Sequence, residues 1–133
     1  MAVRFVLDAS ALLAYLFNEG GREFVDRLLP ESGVSVVNLS EVYAKLLAKG
    51  MGLTEAEESL YRTHIETLPF DAELALEAAK LSEPTRRQGL SLADRACLAT
   101  ARRMGATAVT ADRAWMNLGI DVKVMLCRTP AQN

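Results

Sequence analysis

The stretch that decides the fold is VRFVLDASALLAYLF, residues 3–17. Its first part, residues 3–7, is an apolar run rich in β-forming residues and interrupted only by Arg4, which predicts a buried strand. The run ends abruptly at Asp8-Ala9-Ser10, and Ser10 can cap a helix over residues 11–17. A buried strand that passes directly into a helix is typical of parallel α/β sheets.

Strand-like and helix-like segments alternate along the rest of the chain. Further strands are predicted at residues 34–37, 67–70, 107–110 and 122–127, and helices at 22–29, 39–49, 54–65, 71–82 and 91–104. The alternation predicts a three-layer α/β/α sandwich with a mostly parallel sheet of four to five strands. We expect one domain over residues 1–127 and a loose tail over residues 128–133.

Composition restricts the class of protein. Half of the 133 residues are hydrophobic, which excludes a disordered chain and indicates more apolar surface than one small core needs, so a partner chain is expected to cover part of it. The net charge of -2 gives no basic stripe of the kind that marks nucleic-acid binders. If acidic residues gather around cations, however, the 15 Lys and Arg residues are left to face a polyanion.

Cysteine content and the apolar start of the chain bear on localisation. Two cysteines are too few for a secreted disulfide scaffold. The apolar segment at residues 11–17 lacks a signal-peptide cleavage site and is too short to span a bilayer. A soluble, cytoplasmic protein without membrane attachment is therefore expected.

Four acidic residues are predicted to lie at one edge of the sheet. Asp8 ends the first strand, and Glu41 lies in the first turn after the second. Asp94 lies in the first turn of the helix that begins near residue 91, and Asp112 follows the strand that ends at Thr110. Ligand sites in parallel sheets lie beyond the carboxyl ends of the strands, so these acids are candidates for one site.

Each acid also has a local explanation, because carboxylates at helix starts cap the helix and favour its dipole. A cluster of four is harder to explain in that way, since two like charges ~4 Å apart repel by roughly 4 kcal/mol at an effective dielectric of ~20. Carboxylates without His or Cys partners select a hard ion, Mg²⁺ or Mn²⁺. Such ions can activate water and stabilise the leaving oxygen, which are the two requirements of phosphodiester hydrolysis.

The segments that carry these acids resemble the PIN-domain family in their order and spacing. They are Asp8-Ala9-Ser10-Ala11-Leu12, Ser40-Glu41-Val42, Leu90-Ser91-Leu92-Ala93-Asp94 and Val109-Thr110-Ala111-Asp112. In particular, the chain looks like VapC-type toxins of bacterial and archaeal toxin–antitoxin pairs. The resemblance extends from residue 3 to about residue 124.

This resemblance implies an endoribonuclease that depends on Mg²⁺ or Mn²⁺, acts on single-stranded or looped RNA, is usually a homodimer and is inhibited by a cognate antitoxin. By matching position, the catalytic and metal-binding residues would be Asp8, Glu41, Asp94 and Asp112. Ser10 and Thr110 would be nearby polar residues that order water or phosphate.

Two other interpretations remain open. In a phosphatase or receiver-like domain Asp8 would be a phosphorylated nucleophile, although haloacid-dehalogenase-type phosphatases need a second Asp where Ser10 stands and receivers need adjoining acids before the acceptor. In a non-catalytic α/β interaction module the acids would only cap helices. The single histidine, His64, is expected to be structural, which leaves no Ser-His-Asp or Cys-His set. Several arginines could contact phosphates, but each alone is expected to be a solvated charge.

Overall fold

The computed structural model describes residues 2–129 and, within them, five strands and six α-helices. The strands are β1 (Phe5–Leu7), β2 (Ser32–Ser35), β3 (Glu66–Leu68), β4 (Thr107–Thr110) and β5 (Val124–Leu126). The helices are α1 (Ala9–Leu16), α2 (Arg22–Leu28), α3 (Val36–Ala48), α4 (Leu53–Tyr61), α5 (Ala72–Lys80) and α6 (Leu92–Met104). Single 3-10 turns occur at Leu29–Glu31, Arg86–Gln88 and Arg113–Trp115.

The five strands form one sheet in the order β3-β2-β1-β4-β5, and every pair of neighbours is parallel. This confirms the predicted α/β class and the strand count. From β1 the chain moves outward to β2 and β3, and it then crosses back to β4 on the other side of β1. The gap between the carboxyl ends of β1 and β4 is therefore the topological switch point, where open α/β sheets bind ligands.

Two apolar cores lie on opposite faces of the sheet and make the three layers. Successive residues of β1 point to opposite faces, so Val6 joins the core under α5 and α6, and Leu7 joins the core under α1–α4. Both residues are fully buried. Because β1 is central and covered on both faces, it reads as a continuous apolar run rather than an alternating one.

Several predicted boundaries are wrong, and side-chain caps explain the two that bear on the site. The cap of α1 is Asp8, which accepts a hydrogen bond from the Ala11 amide, and not Ser10. The side chain of Ser35 caps α3 at Val36, so the helix begins three residues earlier than predicted. Glu41 consequently lies in the second turn of α3 and not in the first.

The start of α4 also differs from the prediction. The helix begins at Leu53 and not at Thr54, and its cap is Gly52, which makes no side-chain hydrogen bond. Of the predicted tail, residues 130–133 lie outside the described residues, and Arg128 contacts the Glu19 carboxylate and the Gly20 carbonyl. None of the helices within residues 2–129 has the length and apolar character needed to cross a membrane.

Candidate active site

Asp8 lies at the switch point, directly after β1. Its side chain is only 5% exposed. One carboxylate oxygen, Oδ1, accepts hydrogen bonds from the Ser10 hydroxyl at 2.7 Å and the Ala11 amide at 2.9 Å. The other, Oδ2, accepts from the Thr110 hydroxyl at 2.5 Å. The fold therefore holds this carboxylate in one orientation, with two donors from α1 and one from the end of β4.

Burial raises the pKa of Asp8 from 3.8 to about 6. The hydrogen bonds from Thr110, Ala11 and Ser10 oppose this effect because they favour the charged form, and the negative charge of Asp94 adds to it. The net result is a carboxylate whose ionised form is disfavoured although three donors point at it. A nearby cation would remove that penalty, because it would supply the opposite charge that the protein interior lacks.

Ser10 and Thr110 connect Asp8 to the turn that carries Asp112. The Ser10 oxygen accepts from the Ala111 amide at 2.9 Å, and the Thr110 oxygen accepts from the Asp112 amide at 3.0 Å. Both hydroxyl protons point to Asp8, so the observed role of the two residues is to order the acid. That they also order water or phosphate stays a prediction.

Asp112 is exposed and stands two residues beyond the end of β4. Its Oδ1 accepts from the Ala114 amide at 2.9 Å and so caps the 3-10 turn that follows. Asp112 therefore caps the following turn, as its position in the sequence suggested, and it also lies beside the switch point. Capping occupies one oxygen of the carboxylate with a single hydrogen bond.

Asp94 is the third residue of α6 and belongs to a complete capping box. Its Oδ2 accepts from the Ser91 amide at 2.9 Å, and its own amide donates to the Ser91 hydroxyl at 3.1 Å. The side chain is half-buried. Its negative charge contributes to the raised pKa of Asp8, so the two acids are close enough to interact.

Asn38 is a site residue that the sequence reasoning missed. It is 1% exposed, and its Nδ2 donates to Glu41 Oε1 at 3.3 Å and to the Ala93 carbonyl at 3.1 Å. It thereby joins α3 to the first turn of α6, next to Asp94. The signal was present in the sequence, because Asn38 shares with Val42 and Leu46 the buried face of α3, and a polar residue on an apolar stripe needs a reason.

Three of the acids influence the buried thiol of Cys97. Burial first, and then the negative charges of Asp8, Asp94 and Glu41, raise the pKa of Cys97 well above its usual value. One sulfur atom beneath the site is thus within electrostatic range of all three carboxylates. Asp8, Glu41 and Asp94 therefore all act on this buried thiol, and the Thr110 hydroxyl links Asp8 to the backbone of Asp112.

Within residues 2–129, no three Asp, Glu, His or Cys side chains form a ready-made set of metal ligands. The groups that are present nevertheless suit a hard cation. They are carboxylate oxygens, one of them buried and destabilised as an anion, and the Oδ1 of Asn38 is buried without a hydrogen-bond partner among the described residues. Mg²⁺ is commonly held by one or two carboxylates, with water and substrate phosphate as the other ligands.

The profile of the PIN domain family matches residues 5–120. No curated protein sequence gives a match.

Solved structures with the same fold come from several bacteria. DNA-bound VapBC from Salmonella typhimurium is 18% identical, with a TM-score of 0.69 over 94% of this chain and 98% of that chain. FitAcB from Neisseria gonorrhoeae is 21% identical, with a TM-score of 0.68 over 91% and 96%. VapC20 from Mycobacterium tuberculosis, described as a sarcin-ricin loop cleaving toxin, is 16% identical, with a TM-score of 0.65 over 90% and 98%. At these identities the likeness establishes the fold.

Proposed function

This chain belongs to the PIN-domain family, and from that premise we propose that it is an endoribonuclease that depends on Mg²⁺ or Mn²⁺ and is the toxin of a toxin–antitoxin pair. The observation that carries the proposal is the buried carboxylate of Asp8 at the switch point, with Asp94 close enough to raise its pKa. An isolated helix cap does not need burial of that degree. Burial does serve a cation site, because a low dielectric constant strengthens the attraction between the carboxylate and the metal.

The proposed metal ligands and catalytic residues are Asp8, Glu41, Asp94 and Asp112, of which Asp8 is buried and Glu41 and Asp112 are exposed. When bound, the ion would supply Lewis-acid stabilisation and a water of lowered pKa. The protein residues have separate tasks. The hydroxyls of Ser10 and Thr110 hold Asp8 in place, and Asn38 positions the Glu41 carboxylate, whose exposure leaves it free to meet substrate and water.

The phosphatase or receiver-like alternative is less well supported by this geometry. Both oxygens of Asp8 accept hydrogen bonds and the side chain is almost fully buried, whereas a nucleophile must reach a phosphorus atom in line with its leaving group. The non-catalytic alternative explains the caps made by Asp8, Asp94 and Asp112. It does not explain why the carboxylate of Asp8 is buried, although burial disfavours its ionised form and so lowers the stability of the fold.

We also propose an antitoxin partner, a homodimer and an RNA substrate. One structural relative is a toxin–antitoxin complex from Klebsiella pneumoniae, and VapC20 is described as a sarcin-ricin loop cleaving toxin. In this chain, large apolar side chains such as Leu53, Tyr61 and Leu76 are more than 60% exposed. Apolar surface of this kind is characteristic of protein interfaces.

Cleavage of a labelled RNA tests the proposed chemistry. We expect cleavage with Mg²⁺ or Mn²⁺, none with chelator, and none by Asp94→Asn. The matched control is Asp121→Asn, because this exposed acid precedes β5 and so lies at the opposite, amino-terminal edge of the sheet. Parental cleavage by Asp94→Asn would remove that residue from the mechanism, and the absence of cleavage with either ion would contradict the nuclease proposal.

Growth after expression tests the biological role separately. Expression of the chain without a partner should arrest growth, and expression with its cognate antitoxin should restore growth and give a stable complex. The Asp94→Asn variant should permit growth in both cases. If the parental chain neither arrests growth nor forms a complex, the toxin role fails while the nuclease chemistry is unaffected.

A further inference from the structure

A cleft of about 850 Å³ lies beside the candidate active site, between the α1–α2 loop and the end of β5. Its volume is in the range of ligand-binding pockets. The cleft is lined by four arginines, namely Arg22, Arg27, Arg113 and Arg128. The acids among its lining residues are Glu19 and Glu23. In a chain whose net charge is -2, this is a local excess of positive charge.

Most of that charge is not neutralised by carboxylates. The Arg22 guanidinium donates to the Tyr15 carbonyl and lies 4.2 Å from the centre of the Tyr15 ring, and Arg27 lies 5.9 Å from the Phe24 ring. Among the described residues, no carboxylate pairs with Arg22, Arg27 or Arg113. This distinguishes them from Arg103, which forms a two-point ion pair with Asp71 on another face of the molecule.

Two residues that line the cleft, Arg113 and Cys127, adjoin residues of the proposed metal site. Arg113 directly follows Asp112 in the 3-10 turn after β4. On the other wall, the Cys127 amide donates to the Thr110 carbonyl at 2.9 Å, and Thr110 is the residue whose hydroxyl binds Asp8. The negative charge of Asp8 contributes, after burial, to raising the pKa of Cys127 to about 11. A ligand in the cleft would therefore lie next to the acids of the site.

The wall opposite Arg113 depends on a close approach of two backbones. Gly21 has a φ of +99°, and a Cβ atom there would lie 2.6 Å from the Cys127 carbonyl oxygen. Only glycine fits this conformation and this gap. The α1–α2 loop, which leads into Arg22 at the start of α2, is thus held against the end of β5.

We infer that this cleft binds the sugar–phosphate backbone of single-stranded RNA next to the phosphodiester that is cut, an inference that rests on the proposed ribonuclease function. Guanidinium groups bind phosphate oxygens in a two-point geometry that lysine cannot reproduce. An acidic catalytic site repels a polyanion, so unpaired arginines at its side would draw the strand towards the metal. Contacts of this kind fix the position of the strand without reading its sequence.

Binding of a short fluorescein-labelled single-stranded RNA, followed by anisotropy with chelator present to prevent cleavage, tests the inference. The variants are Arg27→Gln and Arg113→Gln, which remove charge without breaking an ion pair. The matched control is Arg102→Gln, because this exposed arginine lies near the end of α6, at the amino-terminal edge of the sheet. Thermal unfolding of each variant verifies that it is folded.

Each cleft variant should weaken RNA binding about fivefold at about 0.1 M salt. It should also lower the slope of log affinity against log salt by roughly 0.7, the value expected for loss of one contact to a single strand. The control should keep the parental affinity and slope. If both cleft variants match the control while the parental protein cuts RNA, the cleft inference is overturned and the ribonuclease stands.

Two other outcomes would overturn the inference in different ways. If the parental protein neither binds nor cuts RNA, the proposed function fails and the cleft inference fails with it. If the cleft variants bind RNA normally but lose affinity for polyglutamate that the parental protein possesses, the cleft receives an acidic protein segment and not RNA.

Discussion

Replacing Asp8 by asparagine should stabilise the metal-free protein at neutral pH. The asparagine Oδ1 can still accept from the Ser10 hydroxyl and the Ala11 amide, and its Nδ2 can donate to the Thr110 oxygen. The Thr110 hydroxyl proton, which points to Asp8 in the parental protein, can turn to the Ser10 oxygen 3.3 Å away. What the substitution removes is a charge that burial disfavours. We therefore expect a gain in the free energy of unfolding, and a loss of activity, from the same change.

The size of the gain follows from the pKa of Asp8, which burial raises from 3.8 to about 6. Because the folded state binds the proton more tightly, the contribution of this group to stability is fully present below pH 3.8. It is lost as the pH rises through about 6. The difference of roughly two pH units is worth ~3 kcal/mol at ~1.4 kcal/mol per unit. For a domain of this size, that gain corresponds to a Tm about 10 °C higher in the variant.

The assay is thermal unfolding of the parental protein and the Asp8→Asn variant in chelator, monitored by circular dichroism from about pH 4 to about pH 8. Subtracting one stability profile from the other isolates Asp8, because all other groups titrate in both proteins. The difference should be small at the acidic end and grow to ~3 kcal/mol above about pH 6. The matched control, Asp121→Asn, should follow the parental profile throughout.

Added Mg²⁺ provides a second measurement on the same proteins. A ligand that binds only the folded state raises stability in proportion to the logarithm of its concentration, so Mg²⁺ should raise the parental Tm and leave that of Asp8→Asn nearly unchanged. If the variant is less stable than the parental protein at every pH, or if the two profiles run parallel, the account of Asp8 as a destabilised buried anion is wrong.

Three further predictions concern other contacts described above. Asp94→Asn should reduce Mg²⁺-dependent RNA cleavage by more than about 100-fold, which exceeds the usual loss of activity when a residue that only supports a metal ligand is changed. The variant should shift the Tm little, because Asn can keep the hydrogen bond to the Ser91 amide. A large drop in Tm would attribute the lost activity to misfolding. Asn38→Leu should lower the free energy of unfolding by about 1–3 kcal/mol, since it deletes the bond to the buried Ala93 carbonyl. It should also reduce cleavage, because Glu41 loses the donor that positions its carboxylate. Equal activity in Asn38→Leu and the parental protein would exclude a positioning role. Asp71→Asn should destabilise the protein at neutral pH, because the hydrogen bond from Arg103 lowers the pKa of Asp71 from 3.8 to about 2. The contribution of Asp71 to stability is therefore present above about pH 4 and lost as the pH falls to about 2. If the Tm difference between the variant and the parental protein did not narrow over that interval, the stabilising role of the Arg103–Asp71 pair would be contradicted.

The fold could be predicted from the sequence because its strands are short apolar runs with abrupt ends. The run that ends at Asp8 and the run that ends at Thr110 were both recognisable, and pairing them in parallel brings their ends together. The start of α3 could not be placed in the same way, because the β-branched residues Val36 and Val37 favour a strand by composition. The Ser35 cap decides in favour of the helix, and such a local hydrogen bond is not visible in periodicity.

The candidate site was predictable only as a set of residue types. The sequence indicated which acids follow which elements, but it did not indicate that Asp8 is buried while Asp112 is exposed. That contrast arises from packing between α1, α3 and α6 around the central strand. Asn38 and the arginine cleft were missed for the same reason, since Arg22, Arg27 and Arg128 come together with Arg113 only through the tertiary fold.

The hydrogen bond between the Thr110 hydroxyl and Asp8 joins residues that are 102 positions apart. A ribosome adds about 5–20 residues per second, so about 5–20 s pass between synthesis of the first partner and synthesis of the second. Until β4 has been translated and has docked beside β1, the candidate active site of the nascent chain is incomplete. If the finished protein cuts RNA, the nascent chain is therefore inactive during most of its own synthesis. It cannot cleave the RNA of the ribosome and messenger that produce it, and no inhibitor is required for this.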